Sequence, residues 1–138
     1  MWGSAATGKC GLGKITKSEE CYVSVPTRVI VESQERKVRS LSCGYAHTAV
    51  ISEMGQLYVF GCGDGGRLGL GHGKYDTVYS PVHVESLMHE KVSSVSCGSV
   101  TTLVSTEIMH ELGGVESDAK FRYALQLLLF KLLPEKDK

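Results

Sequence analysis

The apolar positions of this chain come in short runs, each closed by glycine, proline or a cluster of charges. Such runs, rich in β-branched residues, read as strands. Pro26–Val31 (PTRVIV) is a strand with proline at its first position, where no ladder donor is lost. Lys37–Cys43 (KVRSLSC) is a second, with Val38, Leu41 and Cys43 as core candidates. Ala46–Ser52 is a third, apolar on both faces at Ala49, Val50 and Ile51, as expected of a strand between stacked neighbours. Glu53-Met54-Gly55-Gln56 is a hairpin turn, with Gly55 free to take a positive φ, and Leu57–Phe60 is the return strand. A glycine-rich loop, Gly61 to Gly73, follows. Pro81–Glu85, Lys91–Cys97 and Thr101–Glu107 then repeat the first three strands.

The repetition is specific. Trp2-Gly3 aligns with Phe60-Gly61, and Gly8, Gly11, Leu12 and Gly13 with Gly66, Gly69, Leu70 and Gly71, all at an offset of 58. Pro26 meets Pro81 at 55; Val38 meets Val92, and Cys43-Gly44 meets Cys97-Gly98, at 54. The offset shrinks where loops lose residues cheaply. A period of 54 to 58 with four strands and no helix is one propeller blade. The fold class expected is all-β: an incomplete β-propeller of four-stranded antiparallel blades. Residues 1–107 hold the repeats, as a partial blade (1–35), a complete blade (36–90) and a second partial blade (91–107).

Composition narrows the function classes. The 138 residues carry 15 basic and 15 acidic side chains. No long-range field therefore draws the chain to nucleic acid or an anionic membrane. The five cysteines are odd in number and form no C-x-x-C pair, which favours free thiols in a reducing compartment. The expected location is cytoplasmic or nuclear. No apolar run reaches the ~20 residues of a membrane span, and the N-terminus is too polar and glycine-rich for a signal peptide.

The glycine loops carry two decoys. Gly61-Cys62-Gly63-Asp64-Gly65-Gly66 fits G-x-G-x-x-G after a strand, but alternating glycines from Gly69 are a poor start for the helix that a dinucleotide site needs. Gly8 to Ile15 nearly fits a phosphate cradle, yet Ile15 stands where a magnesium-binding hydroxyl belongs. Both read as turn punctuation. The histidines, His47, His72, His83, His89 and His110, show no metal-ligand spacing. His47 lies in a strand, with Thr101 as its counterpart in the next repeat, and reads as structural. No nucleophilic triad or carboxylate pair can be placed. The expectation is therefore no enzyme activity, no cofactor, no metal and no small-molecule substrate. Asp64 and Arg67, on an exposed loop, are the candidate partner contacts.

S-C-G-Y-A-H-T-A-V-I, G-Q-L-Y-V-F-G and G-x-L-G-L-G, as they stand in residues 42 to 71, resemble the repeat of the regulator of chromosome condensation family. The resemblance covers residues 1 to about 107. It implies a seven-bladed β-propeller, and a repeat signature at Cys43, Gly44, His47, Thr48, Gly55, Tyr58, Gly61, Gly66, Gly69, Gly71, Cys97 and Gly98. These positions are structural. The founding member of the family is a nucleotide exchange factor for the small GTPase Ran, while many relatives use the propeller as a scaffold. The resemblance implies a non-enzymatic protein–protein interaction module. The alternative it leaves is exchange or regulation of a Ran-like small GTPase.

The chain departs from the pattern after Glu107, where the expected hairpin glycine and return strand are missing. One whole blade and parts of two cannot close a ring, so a fragment, a truncated isoform or an incomplete gene model is expected. The tail, 108–138, differs in kind. Ser117–Leu133 reads as a helix capped by Ser117 and stopped by Pro134. Phe121, Ala124, Leu125, Leu128 and Leu132 form its apolar stripe. It is expected to pack on the blades; a partner-binding helix and out-of-frame sequence are the other readings.

Overall fold

A computed structural model describes residues 1–14, 21–31, 37–71, 76–107 and 124–126. Among the described residues, nine strands form three antiparallel sheets. β1 (Gly3–Ser4) pairs with β2 (Tyr22–Val23). β3 (Val38–Cys43), β4 (His47–Ser52), β5 (Leu57–Gly61) and β6 (Val78–His83) form a four-stranded meander in that order. β7 (Lys91–Cys97), β8 (Thr102–Glu107) and β9 (Ala124–Gln126) form the third sheet. Helical structure among the described residues is confined to two 3₁₀ turns, Asp64–Gly66 and Glu85–Leu87. None of it is long and apolar enough to cross a membrane.

The repeat seen in the sequence is a repeat of register. Gly3 opposes Val23 in the first sheet as Gly61 opposes Val78 in the second. Thr27 N donates to Met1 O and the Met1 amine to Thr27 O (2.9 and 2.7 Å), matching the pairing of Val59 with Val82. Cys97 opposes Thr102 as Cys43 opposes Thr48, and both leading strands carry a bulge, between Val38 and Ser40 and between Val92 and Ser94.

Middle-blade packing follows from the two-residue period of a strand. Ala49, Ile51, Leu57 and Val59 point to one side, where Leu68, Val84, Leu87, Val92 and Val104 complete a buried cluster with the third sheet. Val50, Tyr58 and Phe60 point to the other side and bury against Val31. β4 and β5 are buried along their whole length because both faces are covered.

Three segments differ from the sequence-based expectation. Pro26–Val31 is not a strand beyond its pairing at Thr27; the ladder lies earlier, at Tyr22–Val23, and the chain then turns toward the middle blade, where Val31 is buried. β6 correspondingly begins at Val78, with Pro81 inside it rather than at its start. This is tolerated because β6 is an edge strand and its ladder is irregular between Val59 and Gly61. Within the expected C-terminal helix, Ala124–Gln126 is instead a strand on β8, pairing Thr106, Ser105 and Val104. That is the place β5 occupies on β4. The free ladder edge of β8 offers backbone partners, and such tertiary pairing overrides a helical period. The other residues of that predicted helix lie outside the described ones.

Candidate functional site: the seams between blades

The seams are built from the first turn of β4 outward. Alternation sends His47 toward the third sheet and Thr48 toward the first. Thr48 Oγ1 donates to Lys9 O at 2.9 Å. One blade later, Thr102 Oγ1 donates to Arg67 O at 2.6 Å. The basic side chains of the two acceptor residues also act alike. Lys9 Nζ reaches Tyr45 O and Arg67 Nη1 reaches Ser99 O, both at 3.4 Å, and Lys9 lies 5.9 Å from the Tyr45 ring. Each glycine loop is thus stapled to the following blade by one threonine hydroxyl and folded over its turn by one cation.

His47 adds a second tie to the seam with the third sheet. It is fully buried, and its Nε2 lies 2.9 Å from Thr102 Oγ1. Because that hydroxyl gives its proton to Arg67 O, Nε2 must be the donor to it. Burial lowers the His47 pKa from its ordinary value, the Arg67 guanidinium lowers it further, and the Thr101 backbone opposes both. Cys97 N donates to Ser42 Oγ (2.9 Å), Val92 N to Gly55 O (2.9 Å) and Tyr45 N to Gly98 O (3.4 Å). Arg39 Nη2 donates to Ser93 O at 3.0 Å. Burial raises the Cys97 thiol pKa, as it does that of the Tyr58 phenol.

Two glycines show why the seam tolerates no side chain at certain places. Gly61 has φ 110°, and a Cβ there would fall 2.5 Å from Ala46 O and 2.6 Å from His47 Cα. A Cβ on Gly44 would fall 2.4 Å from Gly98 O and 2.6 Å from His47 Cε1.

The structure brings most of the candidate residues together. Gly44, His47, Thr48, Gly55, Gly61, Cys97 and Gly98 all touch a seam or the turn beside it. Tyr58 packs with Phe60 on the side of the first sheet, and its ring lies 5.2 Å from that of His83. The Cys43 sulfur lies 3.9 Å from Thr48 Oγ1. Gly66, Gly69 and Gly71 run along the loop, closed by Gly66 N to Gly63 O (3.0 Å) and Gly69 N to Gly66 O (2.9 Å). Asp64 is exposed and accepts the Cys62 thiol at 3.2 Å. Arg67 is half-buried, its Nε held by Asp64 O at 2.7 Å, so it is a seam residue rather than a solvated one. Among the described residues, no group of three or more His, Cys, Asp or Glu side chains converges as a metal site would.

Reading the sequence missed the roles of Thr102, Lys9 and Arg67 in the staples. Their signal was present: Thr48 and Thr102 are 54 apart, and Lys9 and Arg67 are 58 apart, the same offsets as the glycines around them.

The family model for the regulator of chromosome condensation (RCC1) repeat matches residues 1–51 and 54–105, and a second RCC1 repeat model matches 38–67. The chain belongs to the RCC1 repeat family. Among relatives, this RCC1 repeat chain is 49% identical over 67 residues to the X-linked retinitis pigmentosa GTPase regulator of Canis lupus familiaris, covering 49% of the chain and 6% of the relative. It is 33% identical over 98 residues to human E3 ubiquitin-protein ligase HERC2, covering 71% and 2%. The mouse retinitis pigmentosa GTPase regulator matches at 30% over 103 residues, covering 75% and 10%. The chain thus spans a tenth or less of these relatives. Among solved structures, Prp20p from Saccharomyces cerevisiae, described with its binding to Gsp1p and histones, aligns with TM-score 0.64 at 24% identity, over 85% of this chain and 31% of that one. Yeast RCC1 (Prp20) bound to Kap60 gives 0.62 at 24%, over 77% and 27%. Human WBSCR16 gives 0.62 at 24%, over 75% and 25%. The likeness establishes the fold: the four-stranded sheet is a blade of the RCC1 propeller.

Proposed function

We propose that this RCC1 repeat chain is a non-enzymatic protein-interaction module, contributing blades to a larger propeller and presenting its loop end to a protein partner. The observation that carries the proposal is where the repeat's polar side chains go. His47, Thr48, Thr102, Arg67 and Arg39 are all engaged at seams, so these polar side chains tie blades together. What the loop end exposes is contact surface: Tyr45 is 78% exposed, Val100 stands exposed at the matching turn of the third sheet, and Asp64 is exposed on the glycine loop whose Arg67 reaches Ser99 O in that turn. Exposed aromatic and apolar side chains with adjacent charge are the composition of protein contact surfaces. We place the module in the cytoplasm or nucleus, the location favoured by an odd number of cysteines with no C-x-x-C pair.

A second reading, regulation of a Ran-like small GTPase, is favoured by the names of relatives: a GTPase regulator, and a yeast protein studied for binding Gsp1p. One experiment separates the two. A Ran-like GTPase loaded with labelled GDP is mixed with the folded chain, and both complex formation and GDP release are followed. Binding without faster release, weakened by Tyr45→Ala and Asp64→Ala, supports the interaction module. Accelerated release moves the assignment to exchange. Proteins captured from lysate with equal efficiency by the wild type and both variants would remove the loop end from the proposal.

A further inference from the structure

His47 is the one described histidine wholly enclosed between two blades and donating to a neighbouring blade. Its Nε2–H is committed to Thr102 Oγ1, so the neutral ring carries its lone pair on Nδ1. Nδ1 is buried and has no hydrogen-bond partner. What it faces is the bare Cα of Gly44, where even a methyl group would sit 2.8 Å away. A second proton on this ring would therefore be buried beside the Arg67 cation, with only the Thr101 backbone to favour it. The described elements packed around the ring supply no compensating negative charge. The β3–β4 turn supplies Gly44, the end of β5 supplies Gly61, and β8 with its preceding turn supplies Thr101, Thr102 and Gly98, none of which ionises. β7 supplies the Cys97 thiol, held neutral by burial. The glycine loop supplies Arg67, which is a cation. Its Asp64 carboxylate is turned toward the Cys62 thiol instead.

We infer that His47 is a pH-sensitive latch between the middle blade and the third sheet, shut when its ring is neutral and released when the ring takes a second proton in mildly acidic solution. The neutral imidazole holds Thr102, and Thr102 holds Arg67 O, so one proton acts on a three-member chain joining β4, β8 and the glycine loop. Release opens the seam and exposes the face formed by Ala49, Ile51, Leu57 and Val59. The sign follows from linkage. The folded ring binds its proton less readily than the open one, whose ordinary value is about 6.5. The closed seam is thus fully stable above that pH and loses stability as pH falls below it, by up to tenfold in the opening constant per pH unit for one proton.

The test is hydrogen exchange of the full chain between pH 7.5 and 5, corrected for the intrinsic pH dependence of exchange. Protection of the β7 and β8 amides is compared in the wild type, His47→Gln and His83→Gln. Glutamine can still donate to Thr102 but does not titrate. His83 also has a buried ring nitrogen without a partner, yet lies away from this seam, beside Tyr58. The latch predicts that the wild type and His83→Gln lose protection as pH falls while His47→Gln stays flat. Should His47→Gln fail to fold, NMR titration of the wild-type His47 ring decides. A ring that stays neutral until the seam opens supports the latch. Equal slopes in all three proteins, or a His47 ring that titrates near 6.5 with the β8 amides still protected, overturns it.

Discussion

The middle blade is held by two seams, and they are not built alike. On the side of the first sheet, Thr48 donates to Lys9 O, and the cluster of Val31, Val50, Tyr58 and Phe60 does the packing. On the side of the third sheet, Thr102 donates to Arg67 O in the same way, but His47, Ser42, Gly55 and Arg39 add further polar ties around a larger apolar cluster. The threonine staple and the overlying cation are the parts common to both. The contrast has a geometric source. Among the described residues the first sheet offers the middle blade two short strands and a loop, whereas β7 lies alongside both β3 and β4. Repeats of this kind are coupled mainly through nearest-neighbour interfaces, so each seam should be breakable by itself.

Truncating a core side chain is expected to separate the seams most clearly. Phe60 is 1% exposed, and its ring sits so close to Gly11 that a Cβ there would fall 2.8 Å from it. Phe60→Ala should cost about 3–5 kcal/mol. Urea unfolding gives the total, and hydrogen exchange should show the loss concentrated in residues 1–31, with β7 and β8 still protected. An equal loss of protection on both sides would mean that the two seams act as one cooperative unit.

Next in size is Gly61→Ala, which adds a methyl group against Ala46 O and His47 Cα at a positive φ. Strain of this kind costs on the order of 1–3 kcal/mol, before any clash is relieved. Gly61 ends β5 opposite His47, which holds Thr102 and directly precedes Thr48, so this variant should weaken the two seams together, in contrast to Phe60→Ala. Thermal denaturation with exchange mapping distinguishes them.

The threonines test the staple itself. Thr102→Val removes one hydroxyl but leaves two buried groups without a partner, His47 Nε2–H and Arg67 O. About 1–3 kcal/mol should be lost. Thr48→Val leaves one such group, Lys9 O, and should cost about 1 kcal/mol. Equal costs in chemical denaturation would show that His47 contributes nothing through Thr102.

These residues also show how far the sequence could be read. The blade was legible because a strand's period and the glycine spacing are local signals; β3, β4 and β5 lie where the apolar runs put them. Strand ends that depend on a partner were not legible. Pro26–Val31 carries the residue types of a strand yet turns away to bury Val31, and Ala124–Gln126 carries a helical stripe yet pairs with β8. The seam was half legible. The repeat offsets contained Thr48 with Thr102 and Lys9 with Arg67, but that a hydroxyl crosses to the carbonyl of a cation in the neighbouring blade is a fact of three dimensions. Arg67 looked exposed because a glycine-rich loop usually is; here the loop folds back onto the next blade, burying Leu68 and taking Arg67 with it.

The smallest expected effect separates a tie within a blade from a tie between blades. Lys91 Nζ and Glu107 pair at 2.9 Å, but across β7 and β8, with the lysine side chain half exposed. Exposed pairs are worth from nothing to about 1 kcal/mol and fade with salt. Glu107→Gln should therefore shift the urea midpoint slightly, lose even that shift in high salt, and leave the exchange pattern of both seams unchanged. Lys91 has a second role that its partner lacks. Its Cγ lies where a Cβ on Gly55 would come within 2.6 Å, so its aliphatic stem covers the β4–β5 hairpin at the seam with the third sheet. Lys91→Met keeps that stem and should behave like Glu107→Gln, while Lys91→Ala removes it and should also expose the amides around Gly55 and Val92. If Lys91→Met and Lys91→Ala prove equivalent, the charge is what Lys91 contributes; if only Lys91→Ala loosens the seam, the stem is.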